Sequence, residues 1–122
     1  MRGIIREDLP VVIAAGALEV RFAEFGEMTL AFYRVPKGTD FGPQLKGLPD
    51  DMCQCPHWGY FLKGKAVLHT KTGDLTLETG QAFYSPPGHV PEFLEDCELV
   101  EFSPTAQFKE AFEHMMRRAA GG

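Results

Sequence analysis

Two short stretches of this chain concentrate the side chains that can bind a metal ion or move a proton. The first, Asp51-Met52-Cys53-Gln54-Cys55-Pro56-His57, places four potential ligands two residues apart. In an extended backbone such residues share a face, so Asp51, Cys53, Cys55 and His57 would line one side of a strand. The second, Gly80-Gln81-Ala82-Phe83-Tyr84-Ser85-Pro86-Pro87-Gly88-His89, carries the other histidine that can meet them. Imidazole suits zinc, iron, copper or nickel, and a set of three or four cysteine and histidine ligands is most at home on zinc. The candidate metal ligands are therefore His57, His89, Cys53 and Cys55, holding a divalent ion for which zinc is favoured and iron is the alternative.

The same residues have a metal-free reading. Free cysteines are often small buried hydrophobes, and His57 and His89 can act as hydrogen-bonding groups or an acid/base pair, because histidine titrates near neutrality. Asp51 reads equally as a ligand or a surface acid. Glu101 joins His57 and His89 as a candidate catalytic residue, since it interrupts the apolar strand Leu99-Val100-Glu101-Phe102 and a buried carboxyl needs a partner. Cys97 shares its parity. His69 and His114 read as surface or interface residues. The Cys-x-Cys pair lacks the Cys-x-x-Cys spacing of thioredoxin-like redox sites, and neither a phosphate-binding glycine loop nor a serine nucleophile elbow is present.

The elements that must position these groups are short and extended. Leu18, Val20 and Phe22 alternate with polar or small residues between Ala17 and Phe25, and Met28 to Val35 is rich in β-favouring side chains. The glycines and prolines of residues 36–50 make a loop, either a lid beside the site or a surface excursion. Lys63-Gly64-Lys65 reads as a tight turn, and residues 66–70 pair with 75–78 as a hairpin across a Gly-containing turn. Odd–even alternation puts Trp58 and Tyr60 on the face opposite His57. Leu30, Phe61 and Phe93 are core candidates, as are Phe22, Phe32 and Phe102. Ser103-Pro104 reads as a helix start, and Phe108, Ala111, Phe112, Met115 and Ala119 form an apolar stripe on the helix that follows. Seven or eight strands and one terminal helix describe a β-sandwich or jelly roll.

Composition narrows the function classes. The 122 residues carry 17 acidic and 12 basic side chains, a formal charge of -5, with no Lys/Arg cluster that could neutralise phosphates, so no nucleic-acid partner is expected. No apolar run approaches the roughly 18 residues that span a bilayer, and no membrane partner is expected. Residues 1–8 turn acidic before a signal-peptide core can develop, and three cysteines do not make a disulfide framework; a cytoplasmic protein with reduced thiols is the expectation.

At Gly80, Pro86 and Gly88, and at Tyr60-Phe61-Leu62-Lys63-Gly64, the chain resembles a single-domain cupin, a small double-stranded β-helix protein. The resemblance implies an all-β, cupin-type jelly-roll barrel over about residues 11–103 with a C-terminal α-helix over about 104–119, forming one domain across 1–122. Cupin motifs supply two histidines, a glutamate and a further histidine. Here Asp51 and Cys53 stand at the first two positions, His57 at the glutamate and Pro91 at the last, with His89 two residues early. The implied function is that of a small metal-dependent enzyme acting on a small organic acid or polyketide-like compound, as isomerase, cyclase, lyase or oxygenase. A non-catalytic small-molecule-binding cupin and a dimeric accessory module are the alternatives. A homodimer is expected in any case, because the outer aromatics and the amphipathic helix leave apolar surface to cover.

Overall fold

The computed structural model describes residues 2–121. Nine strands run in chain order: β1 (Val11–Ala15), β2 (Leu18–Phe25), β3 (Met28–Val35), β4 (His57–Lys63), β5 (Lys65–Thr70), β6 (Gly73–Glu78), β7 (Ala82–Ser85), β8 (His89–Phe93) and β9 (Cys97–Pro104). A one-turn helix α1 (Gly42–Leu45) interrupts the loop after β3, and α2 (Thr105–Ala119) ends the chain. The strands form a six-stranded sheet in the order β1-β2-β3-β9-β4-β7 and a three-stranded sheet in the order β6-β5-β8, with all pairs antiparallel. This mostly β fold with a C-terminal helix resembles a jelly roll. The strand pairings give these two sheets and do not close them into the expected barrel.

Alternation along the strands decides which side chains enter the molecule. Along β4, His57 and Phe61 are buried while Trp58, Tyr60 and Leu62 are exposed, as their parity predicts. Along β9, Cys97, Leu99, Glu101 and Ser103 point inward and Phe102 stands exposed. One core gathers Val35, Phe61, Ala66, Leu77, Phe93, Cys97 and Leu99 between the sheets. The turn between β4 and β5 needs Gly64, whose φ is +98° and whose missing Cβ leaves room for the Asp96 carbonyl oxygen and the Cys97 sulfur. A second core packs Leu45, Cys53, Cys55, Phe108 and Ala111 beneath α2. Phe22 meets Phe108 and Phe112 edge-on at 4.8 and 5.0 Å, which seats the helix.

Several expectations are corrected. Residues 51–56 are not a strand: a 3-10 turn spans Pro49–Asp51, and β4 begins only at His57. Strand β9 runs through Ser103 and Pro104, so the helix starts one residue beyond the proline and Ser103 is an inward strand residue, not a cap. The segment before β1, which reads from sequence as a polar arm over residues 1–10, buries Leu9, whose carbonyl accepts from Arg21 Nη1 at 3.0 Å. The 36–50 loop is a wall, not an excursion, because Leu45 is buried against α2. Phe102 lies outside the core, and Phe22 and Phe32 are half-buried.

Candidate metal and ligand site

Cys53, His57 and His89 converge from three places in the chain. Cys53 sits in the loop before β4, and a single antiparallel bridge ties it to His89: its N–H donates to the His89 carbonyl at 2.9 Å, and its carbonyl accepts from Gly88 and His89. The loop leading to it holds Asp50 and Asp51 at φ +58° and +56°, a left-handed conformation that costs roughly 1–2 kcal/mol per residue. The Asp51 carboxylate holds that loop by accepting from the Gly47 N–H at 2.9 Å. His57 opens β4, and His89 opens β8 after the Pro86-Pro87-Gly88 corner.

Each imidazole is oriented by its Nδ1. His89 Nδ1–H donates to the Pro86 carbonyl at 2.7 Å; a carbonyl only accepts, so the proton is on Nδ1 and Nε2 carries the lone pair. His57 Nδ1 pairs with Ser103 Oγ at 2.7 Å, and in the tautomer that donates to this hydroxyl its Nε2 also presents a lone pair. That nitrogen lies 3.9 Å from Cys53 Sγ, and the two rings meet at 64° with centroids 5.0 Å apart. One ligand atom from each of the three residues lies within 4.8 Å of the others. Ligand bonds to zinc in a tetrahedral arrangement separate donors by about 3.4–3.7 Å, so the cluster is slightly open and needs only small side-chain rotations to close. Hydrogen bonds from Nδ1 to a carbonyl and a hydroxyl are the outer contacts that metal-binding histidines use. The residues fit a metal ion.

Burial sets the protonation of the cluster. It pulls both His57 and His89 down to about 4, so each imidazole is neutral at pH 7 and free to ligate. It pushes the Cys53 thiol up to about 11 and the Cys55 thiol to about 12; a thiolate at Cys53 therefore needs a cation to form it. Glu101 lies with Oε2 4.0 Å from His57 Nδ1. Burial raises its carboxyl to about 7, against the pull of His89 and of the Tyr33 hydroxyl approaching from β3.

The cluster stands at the wall of a cavity of about 400 Å³ between the sheets and α2. Phe41, Phe61, Phe83, Leu99 and Phe108 are among the apolar side chains lining it, and Tyr33, Asp40, Gln44, Ser85 and Glu101 are among the polar ones. Phe83 takes its place over β4 because residue 59 is glycine: a Cβ there would stand 2.6 Å from the Phe83 ring.

Of the residues singled out by sequence, His57, His89 and Cys53 come together and Glu101 lies beside them. Cys55 lies outside the group of three, donating its S–H to the Pro56 carbonyl at 3.4 Å within the core under α2. Asp51 faces solvent, Cys97 belongs to the core around Phe61, and Tyr84 is exposed while Phe83 faces the cavity. His69 bridges Asp74 and Glu92 on the surface, and His114 ties α2 to the Lys46 carbonyl at 2.8 Å. Sequence reasoning missed Ser103, Ser85 and Tyr33. Ser103 was within reach, being two residues beyond Glu101 in the same alternation.

No protein-family model matches the chain, and no curated protein matches it. Its structure is similar to an RmlC-like cupin from Shewanella frigidimarina, with 15% identity over 83% of this chain and 87% of that one and a TM-score of 0.59. It is also similar to the polyketide cyclase RemF from Streptomyces resistomycificus, with 17% identity, 85% and 79% coverage and a TM-score of 0.61. A third similar structure, a protein of unknown function from Rhizobium leguminosarum bv. viciae, gives 19% identity, 85% and 95% coverage and a TM-score of 0.60. Identities this low show a likeness of fold alone, to structures that include an RmlC-like cupin, and this chain carries on that fold an unusual Cys-His-His cluster able to coordinate a metal ion. Among the described residues no helix is long and apolar enough to cross a membrane.

Proposed function

We propose that this protein is a metal-dependent enzyme that acts on a small organic acid or polyketide-like compound bound in the cavity. One observation carries the reading: the Cys53 sulfur and two imidazoles with tethered Nδ1 atoms converge within 4.8 Å at the wall of an apolar pocket. Three protein ligands leave a fourth position for substrate, the pattern of catalytic zinc sites. A divalent ion there would polarise a carbonyl or enolate oxygen. The chain's own residues do the rest. Pro86 and Ser103 hold the two rings in one orientation, and the apolar walls exclude water and align the substrate body. Glu101, buried beside His57, is the carboxyl placed to take or return a proton on the cavity side. An isomerase, cyclase, lyase or oxygenase can use this arrangement.

The test is elemental analysis of untagged protein purified without added metal, beside His57→Ala and His89→Ala. Near-stoichiometric metal lost in both variants is the expected result. A wild-type protein that stays metal-free when zinc is offered under reducing conditions refutes the reading.

A further inference from the structure

Ser85 ends β7 directly opposite His57 on β4, and cross-strand partners project to the same face. It is 1% exposed, it lines the cavity, and its Oγ has no hydrogen-bond partner among the described residues. Buried hydroxyls are nearly always paired, so an unpaired one aimed into a cavity points to a partner that arrives with a ligand. Gln44 Oε1, from α1, is a second unpartnered buried oxygen in the lining of the same cavity.

The remaining lining fixes the character of that ligand. No lysine or arginine occurs among the described lining residues, and the only carboxyls are Asp40 and Glu101. Asp40 is already engaged, its Oδ1 accepting from the Gly42 N–H at 2.8 Å. An anionic group placed against these walls away from the metal cluster would lose its hydration and gain no counter-charge.

We infer that the cavity takes an uncharged, largely apolar ring compound bearing a hydroxyl or carbonyl oxygen, and that Ser85 Oγ binds this oxygen and selects the ligand over a plain hydrocarbon. The inference rests on the reading of the cavity as a small-molecule site and chooses the polyketide-like substrate class over the organic acid.

Calorimetry with 2-naphthol, naphthalene and naphthalene-2,6-dicarboxylate tests it, on wild-type protein and Ser85→Ala, each with and without added zinc. The expected result is that 2-naphthol binds wild type about tenfold more tightly than Ser85→Ala, the loss of one hydrogen bond. Naphthalene binds both alike, and the dicarboxylate binds neither. Ligand-free Ser85→Ala melts no lower than wild type, because the substitution removes an unpaired buried hydroxyl. Equal 2-naphthol affinities, dicarboxylate binding as tight as that of 2-naphthol, or a clear drop in the ligand-free melting temperature would each overturn the inference. Absence of 2-naphthol binding to protein that takes up zinc at His57 and His89 also overturns it and leaves the metal reading intact. Ser85-dependent binding to protein that takes up no zinc upholds it and removes the metal reading.

Discussion

Replacing Ser103 by alanine tests whether the orientation of His57 is built for a metal ion. The Ser103 hydroxyl sits 2.7 Å from His57 Nδ1, with both residues buried on the inner face of the larger sheet. In Ser103→Ala the Glu101 carboxylate, with Oε2 4.0 Å from Nδ1, stands beyond hydrogen-bond range and does not replace the lost hydroxyl, so Nδ1–H is left unpaired. The unpaired group lowers stability by about 1–2 kcal/mol, a fall of roughly 3–8 °C in melting temperature for a chain of this size. Freeing the ring also lets Nε2 turn away from Cys53 Sγ, and losing an outer contact of this kind typically weakens metal affinity by about 10- to 100-fold. Thr29→Val is the control: Thr29 is the register partner of Ser103, and its Oγ1 makes a comparable bond to Thr105 Oγ1 at 2.9 Å without touching His57. Zinc affinity is read by competition with a chromophoric chelator under reducing conditions, and stability by thermal melts of the metal-free proteins. Both variants should melt lower, and only Ser103→Ala should lose zinc affinity. Zinc binding by Ser103→Ala within about twofold of wild type would refute the argument, since the histidine would then hold its orientation without the hydroxyl.

In cobalt-substituted protein, Cys53→Ser should abolish the sulfur-to-cobalt charge-transfer band while Cys55→Ser keeps it, because only Cys53 belongs to the convergent group. Phe61→Ala, which empties a site 1% exposed between the sheets, should lower stability by about 3–5 kcal/mol in denaturant titrations. Trp58→Ala, on the exposed outer face of the same strand, should stay within about 0.5 kcal/mol in a monomer. A larger loss at Trp58, with gel filtration showing two copies, would place this face in a homodimer interface. His69 holds the smaller sheet through hydrogen bonds to Glu92 and Asp74, which raise its imidazole above the usual value. A raised folded value means that the stabilisation is fully present below about pH 6.5 and is lost as pH rises through the folded value. The melting-temperature gap between wild type and His69→Asn should therefore be wide near pH 6 and narrow near pH 9, and a gap that widens with pH would contradict the assignment.

Period-two alternation made most of the β architecture legible: Met28–Val35 has the bounds its composition suggested, and the parity of β4 separates His57 and Phe61 from Trp58 and Tyr60. The site was legible where its residues lie on strands. His57 and Glu101 face the cavity because β4 and β9 do, and extending the same count by two residues reaches Ser103. It failed where the backbone leaves that period. The 3-10 turn and the two left-handed aspartates before Cys53 break the alternation that would have put Asp51, Cys53, Cys55 and His57 on one face, which is why Cys53 reaches the histidines while Asp51 faces solvent and Cys55 enters the core under α2. What brings Cys53 to the site is its bridge to His89, a contact between a loop and the start of β8, distant in sequence, that no local pattern encodes.

That bridge gives the site a coupling that separate strands would not. One pair of backbone contacts joins the Cys53 loop to the corner that orients His89, and the Pro86 carbonyl in that corner holds the ring itself. His57, by contrast, is held across the larger sheet by Ser103 on β9. The ligand set is thus anchored on two bodies, one formed by the Cys53 loop with the start of β8 and the other by β4 with β9. The donors lie within 4.8 Å of one another, slightly wider than in a closed tetrahedral site, and the 3.9 Å between Cys53 Sγ and His57 Nε2 spans the two bodies. An ion drawing the donors together would join the two sheets at the cavity wall, so metal binding and the width of the cavity belong to one equilibrium.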